Sequence, residues 1–214
     1  GIRATSLVPR TVPGHVARAF PYDYDPAKAR ALLAKAGYPG GKGLPKIRLD
    51  LKGTATNFRQ QGEFLQESLR QVGIPIEVVA NTMPGYLEKE RNGSLQFTFG
   101  VWDSDYPDAE NFLALLYSKN VSPGPNIANY RNPAFDKLYE KIALLDSSVE
   151  RAKLIEQAED LVYRDLPMAP LFYPLAFSVG HGWVGNFRPN IQIINHMKYF
   201  NVDLARKARL GEHL

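Results

Sequence analysis

Between residues 47 and 102, β-type apolar runs alternate with helical runs, and this alternation constrains the fold more than any other feature of the chain. Ile47-Arg48-Leu49-Asp50-Leu51 alternates with period two and reads as a strand. Phe58 to Val72 reads as a helix with Phe64, Leu65, Leu69 and Val72 on one side, and Gly73 ends it. Ile74 to Val79 is a second strand, with Pro75 near its start, where a missing N–H is tolerated. A short helix near Pro84 to Glu90 and a third strand, Leu95 to Trp102, follow. Strand, helix, strand, helix, strand at this spacing implies βαβ units and an α/β fold, with a mostly parallel sheet flanked by helices.

Helix boundaries elsewhere are marked by local chemistry. Asp25-Pro26 supplies an N-cap and a first-turn proline for a helix through Ala36, with Leu32, Leu33 and Ala36 as its apolar face and Gly37 as its stop. A short helix is expected from Asn111 to Tyr117. Asn132-Pro133 repeats the cap-plus-proline start for a helix to about Leu145, with Phe135, Leu138, Ile142 and Leu145 in a stripe. Asp146-Ser147-Ser148 caps a last long helix, Val149 to about Asp165, closed by Pro167. Residues 1–21, with Pro9, Pro13, Gly14 and Pro21, show no periodicity and read as an extended leading segment, not a packed element. Residues 168–179 are strand-like but carry Pro170 and Pro174, which argues for an edge or crossing segment. Beyond His181 the chain is irregular, with one more strand expected at Lys198 to Val202.

Several function classes fall away. With 44% hydrophobic and 22% charged residues the chain is a folding sequence and not a disordered one, and 214 residues suit one large domain or two small ones. The formal charge of +4 is dispersed among acids, which gives no argument for nucleic acid, and Lys198, Arg206, Lys207 and Arg209 read as a solvated tail. There is no cysteine, and His15, His181, His196 and His213 lack metal-ligand spacing, so no metal site and no cofactor is expected. The Gly-rich run after Gly37 follows a helix and carries proline, unlike a phosphate loop, and neither a serine elbow nor an HExxH motif is present. No apolar stretch reaches the roughly 18–20 residues of a membrane span. No signal peptide is visible at Gly1-Ile2-Arg3, as expected of a mature or truncated product.

What chemistry there is gathers in residues 97–113, where an aromatic strand runs into a loop holding Trp102, Asp103, Asp105, Tyr106, Pro107 and Asp108. Asp103 and Asp105 have no carboxylate partner cluster that would make them a hydrolytic pair. Together with Glu110 they also match a calcium loop poorly. Asp108 suits a helix cap. Trp102 beside Asp105 is different: a ring for stacking and a carboxylate to neutralise an ammonium suit a binder of organic cations or free amino termini.

The string Tyr24-Asp25-Pro26-Ala27-Lys28-Ala29-Arg30-Ala31-Leu32-Leu33-Ala34-Lys35-Ala36-Gly37-Tyr38-Pro39 is similar to a segment of the family 5 extracellular solute-binding proteins, which serve dipeptide, oligopeptide and nickel ABC importers. Trp102 to Leu113 resembles the same family about 75 residues further on, in the right order. The resemblance implies a periplasmic-binding-protein-like lobe: the carboxy-terminal half of a two-lobed clamshell about twice as long, with ligand enclosed between the lobes and no enzymatic role. It assigns residues 1–21 to the interlobe crossover, 22–180 to the binding lobe, and 181–214 to a segment returning toward the amino-terminal lobe. Expected partners are a peptide or other small solute, the transporter's permease subunits and the amino-terminal lobe. The expected location is periplasmic or extracytoplasmic, free or lipid-anchored. By carry-over, Asp105 would pair with the ligand's α-ammonium, Trp102 would line the pocket, and Arg91 would face a ligand carboxylate. Asp103 departs from the family's usual small or apolar residue. A nickel chelate, an oligosaccharide or an opine-like compound is the alternative cargo, and a carboxylate-based hydrolase the alternative class.

Overall fold

In the computed structural model, residues 1–17, 20–188 and 195–211 are described. The α/β alternation forms as expected. After a two-residue strand β1 (Ile2–Arg3), the order is α1 (Pro26–Lys35), β2 (Ile47–Leu51), α2 (Thr56–Arg70), β3 (Ile76–Ala80), α3 (Met83–Arg91) and β4 (Phe97–Thr98). Strands β3, β2 and β4 lie side by side in that order, and both pairings are parallel. The helices start and stop where local chemistry says. The Asp25 side chain accepts from Lys28 N at 2.8 Å, and Thr82 caps α3. Helices α1, α2 and α3 end alike: Tyr38, Ile74 and Ser94 each donate to a carbonyl five residues back, across Gly37, Gly73 and Gly93 at positive φ.

Three expectations in this half are corrected. The third strand is two residues long and not eight. Gln96 Oε1 already takes the Arg48 N–H at 2.9 Å, and Thr98 stands opposite Asp50, one residue from the end of β2, so the chain beyond it runs past its partner. On α2 it is Phe58, Leu65 and Leu69 that meet the sheet, while Phe64 is 72% exposed. The sheet-facing position near it is Gly62, where a Cβ would lie 2.9 Å from Val78 Cγ1 and 3.0 Å from Leu51 Cδ2. Helix α1 buries none of its residues; it is held at Arg30, which donates to Gln71 O.

The polar face of β2 is not solvated. Asp50 is fully buried, because a parallel sheet is covered on both faces and here α3 covers the second. Lys89 of α3 reaches its carboxylate at 2.6 Å, Arg48 at 3.0 Å and Asn81 at 3.1 Å. Burial alone would raise the Asp50 pKa, but the bonds from Lys89, Asn81 and Arg48 outweigh it and hold the group below the usual carboxylate value.

The second half is helical: α4 (Ala109–Leu113), α5 (Pro133–Leu144) and α6 (Val149–Asp165). Asn132 caps α5 and Ser148 caps α6, as the sequence implies. Asn126, fully buried, ties the loop before α5 together by bonding Tyr117 O, Tyr130 O and Tyr130 N. Phe135, Ile142, Ile155, Ala158 and Val162 form the core with α4 residues Phe112 and Leu113.

The same core contains Leu7, Val8 and Val12, which overturns the reading of the leading segment as unpacked. Its backbone is irregular, yet it finds partners. Ser6 Oγ donates to buried Glu159 at 2.5 Å, Leu7 N to Tyr163 Oη at 3.3 Å, and Ala109 N to Pro13 O at 3.1 Å. Strand β1 pairs antiparallel with β5 (Phe172–Tyr173), the short remnant of the strand-like stretch 168–179. The tail holds β6 (Val184–Gly185) paired with β7 (Asn201–Val202), then α7 (Leu204–Gly211), a helix not foreseen. His15 Nδ1 bonds Val8 O at 2.8 Å and His181 stacks on Trp183; His213 lies outside the described residues.

Gly14 has φ +89, and a Cβ there would lie 2.7 Å from Ala109 Cβ. Gly14→Ala should destabilise the protein by about 2 kcal/mol in urea unfolding, through strain and overpacking together. Because the Asp50 pKa is depressed in the fold, its stabilisation is present above the unfolded carboxylate pKa of about 3.9 and is lost as pH falls through the folded value. The stability gap between wild type and Asp50→Asn should therefore be widest near neutrality and narrow below about pH 4, as read from urea midpoints across pH.

Candidate functional site

Residues 99–104 leave the carboxy end of β4 without regular structure and carry Trp102 onto the surface, and the turn 105–108 then leads into α4. Loops beyond the carboxy ends of parallel strands are where open α/β sheets hold ligands. Three contacts from the helical half fix this loop. The Asp108 carboxylate caps α4, accepting from Glu110 N at 2.7 Å, and its Oδ1 also accepts from Arg151 Nη2 at 2.6 Å. Arg151 lies in α6, its side chain 8% exposed, and its Nε donates to Ile142 O at 3.0 Å, so one guanidinium ties the loop to both α5 and α6. Glu110 accepts hydrogen bonds from the phenols of Tyr106 and Tyr139. The bond to Glu110 and then burial push the Tyr106 phenol up; for Tyr139 burial comes first and Glu110 second. Finally, Asn111 Oδ1 accepts from Trp102 Nε1 at 2.9 Å and from Asp105 N at 3.3 Å.

These contacts divide the four carboxylates of the loop. Asp108 and Glu110 are engaged within the protein. Asp103 and Asp105 are exposed, and neither side chain bonds another described residue. Trp102 is 38% exposed with its N–H engaged, so the ring presents surface but its polar tip does not. The arrangement can stack against a ligand and neutralise a positive charge beside it. It offers no nucleophile–base pair, and among the described residues no group of His, Asp and Glu could hold a metal ion.

The structure ties the Trp102 indole and the Asp105 backbone N–H to one atom, Asn111 Oδ1, but leaves Arg91 apart. Arg91 ends α3, on the side where the strands begin, next to Ser94, whose carbonyl is bonded by Arg48. Trp102 lies past the side where they end. A groove of about 490 Å³ runs between α2 and edge strand β3, lined by Leu51, Arg59, Glu63, Gln66 and Val78 among others, away from this loop. Trp102 and Asp105 form one open wall.

Sequence reasoning missed Arg151, Glu110, Tyr139 and Asn111. Asn111 alone left a signal, as the third residue after a helix-capping aspartate; for Arg151 the sequence spacing holds none.

A model of the bacterial extracellular solute-binding proteins, "family 5 Middle", matches residues 1–124. Heme-binding protein A of Haemophilus influenzae is 30% identical over 180 residues, covering 83% of this chain and 33% of that protein. The dipeptide-binding protein of Escherichia coli is 27% identical over 179 residues, 83% of this chain and 34% of the relative. Among solved structures, the periplasmic binding protein DppA of Helicobacter pylori in complex with the peptide STSA superposes with a TM-score of 0.71 at 29% identity, covering 79% of this chain and 33% of that one. The chain thus spans about a third of the length of the curated relatives it matches, less than the half expected from the resemblance.

Arg151→Ala should cost about 3 kcal/mol in chemical unfolding, because it strands the half-buried Asp108 carboxylate and the Ile142 carbonyl at once. Exposed Lys119, paired with Glu140, should cost well under about 1 kcal/mol on the same change.

Proposed function

This chain belongs to the bacterial extracellular solute-binding proteins of family 5, and on that premise we propose that it is a ligand-binding lobe of a peptide importer's solute-binding protein. The observation that carries the reading is the joint anchoring of the Trp102 indole and the Asp105 backbone N–H by Asn111, in a loop past the carboxy end of the sheet where the ring is partly exposed and the exposed Asp105 carboxylate bonds no other described residue. Asp105 takes the α-ammonium of the ligand and Trp102 covers the first residue. A charge-assisted hydrogen bond of this kind, in a partly dry cleft, contributes about 1.5–3 kcal/mol. The dipeptide-binding relative of Escherichia coli and the peptide complex of the Helicobacter pylori protein support a peptide cargo. No catalytic role is assigned to Asp103 or Asp105.

One open wall needs a second. Closure of a partner lobe over Trp102 would exclude water and strengthen the ion pair. On this reading residues 22–180 are the binding lobe, 1–21 a crossover whose residues 7–12 pack into that lobe's core, and 181–214 the return, and the protein works outside the cytoplasm with permease subunits. Arg91, at the end where the strands begin, takes no part in this wall.

The 214-residue chain should bind Ala-Ala weakly, in the millimolar range, with shifts at Trp102 and Asp105 in an NMR titration. Asp105→Asn should weaken Ala-Ala binding about tenfold and leave N-acetyl-Ala-Ala unchanged. Equal losses for both peptides would remove Asp105 from the role. Saturable hemin binding without any peptide response would replace the cargo by the one named for the Haemophilus influenzae relative.

A further inference from the structure

Asn111 is 5% exposed and sits on α4, a short helix held at its start by the Asp108–Arg151 ion pair and by the bond from Ala109 N to Pro13 O. Trp102 and Asp105 are on the opposite footing: they lie in a stretch with no helical or ladder hydrogen bonds to place them. Each makes one bond to the same atom. Trp102 Nε1 and Asp105 N converge on Asn111 Oδ1 at 2.9 and 3.3 Å. A carbonyl oxygen has two lone pairs, so these two donors fill it.

We infer that Asn111 is the positioning residue of the binding wall: its amide oxygen sets the spacing between the indole and the Asp105 backbone from which the carboxylate is presented, and thereby the site's preference for a free amino terminus. The inference rests on Trp102 and Asp105 being the ligand-contacting pair. Asn111 itself faces the interior and touches no ligand. Because the loop has no other hold on the indole N–H, losing the acceptor lets the ring swing and separates the two groups that must meet the ligand together. Misplacement of a recognition group by about 1 Å is enough to forfeit most of a directional bond.

The test uses the whole chain with Trp183→Phe, so that a single indole N–H resonance remains. In that background the Trp102 indole N–H should be protected from solvent exchange. Asn111→Leu should abolish the protection, shift the Asp105 amide, and weaken Ala-Ala binding about tenfold while N-acetyl-Ala-Ala changes little, so that the ratio of the two affinities collapses. Asn111→Asp retains both lone pairs and should keep the indole protected and the affinity ratio within about threefold, which serves as the test if the leucine variant does not fold. An indole that stays protected in Asn111→Leu, or a ratio that survives there, overturns the assignment, as does loss of protection in Asn111→Asp. A released indole in Asn111→Leu with no response of the unsubstituted loop to Ala-Ala overturns the peptide reading, and upholds Asn111 as the anchor of the loop.

Discussion

The loop proposed as a binding wall depends on the ion pair between Arg151 and Asp108. At 2.6 Å, with the guanidinium almost wholly buried, it joins the first turn of α4 to α6, and through Ile142 O to the end of α5. Everything that shapes the acidic loop hangs from α4: the cap at Asp108, the two phenols on Glu110, and the shared acceptor at Asn111. A helix of five residues has little stability of its own. Its rigidity comes from Phe112 and Leu113 in the core and from this pair. Removing one partner of a buried pair costs more than the pair contributes, because the other is left charged and unsolvated.

That anchoring also sorts the charges. Four carboxylates within eight residues would repel one another if all pointed outward. Two are turned inward, Asp108 onto a guanidinium and Glu110 onto two tyrosines, so that Asp103 and Asp105 remain to face solvent. The loop is consequently acidic toward solvent at Asp103 and Asp105, while Asp108 and Glu110 find their partners within the protein. The buried cluster around Asp50 follows the same rule away from the site: Lys89, Arg48 and Asn81 satisfy a carboxylate that the sheet would otherwise bury alone.

Much of the framework was legible in the sequence, for a local reason. The capping residues Asp25, Asn132 and Ser148 and the stops at Gly37 and Gly73 act over three to five residues, so their hydrogen bonds can be read from spacing. The strand–helix alternation likewise predicted the parallel pairing of β2 with β3. What misled was periodicity at the edges. Leu95 to Trp102 has the composition of a long strand but outruns its partner, and Phe64 has the hydrophobicity of a core residue but stands one position off the face that Gly62 allows against the sheet.

The sequence by itself determined the α/β class, the limits of α1, α5 and α6 to within a residue or so, and the presence of a tryptophan and an aspartate three residues apart in one loop, while α4 starts two residues before the expected Asn111 and α7 was not expected. Tertiary structure alone decided that residues 7–12 belong to the core, that Asp50 is buried, that Arg91 stands apart, and that Asn111 and Arg151 hold the loop. The division follows from range. A cap or a turn is closed by neighbours along the chain, but a buried hydrogen bond between Arg151 and Asp108, or Ser6 and Glu159, spans 43 or 153 residues, and no local pattern encodes it before the chain has folded.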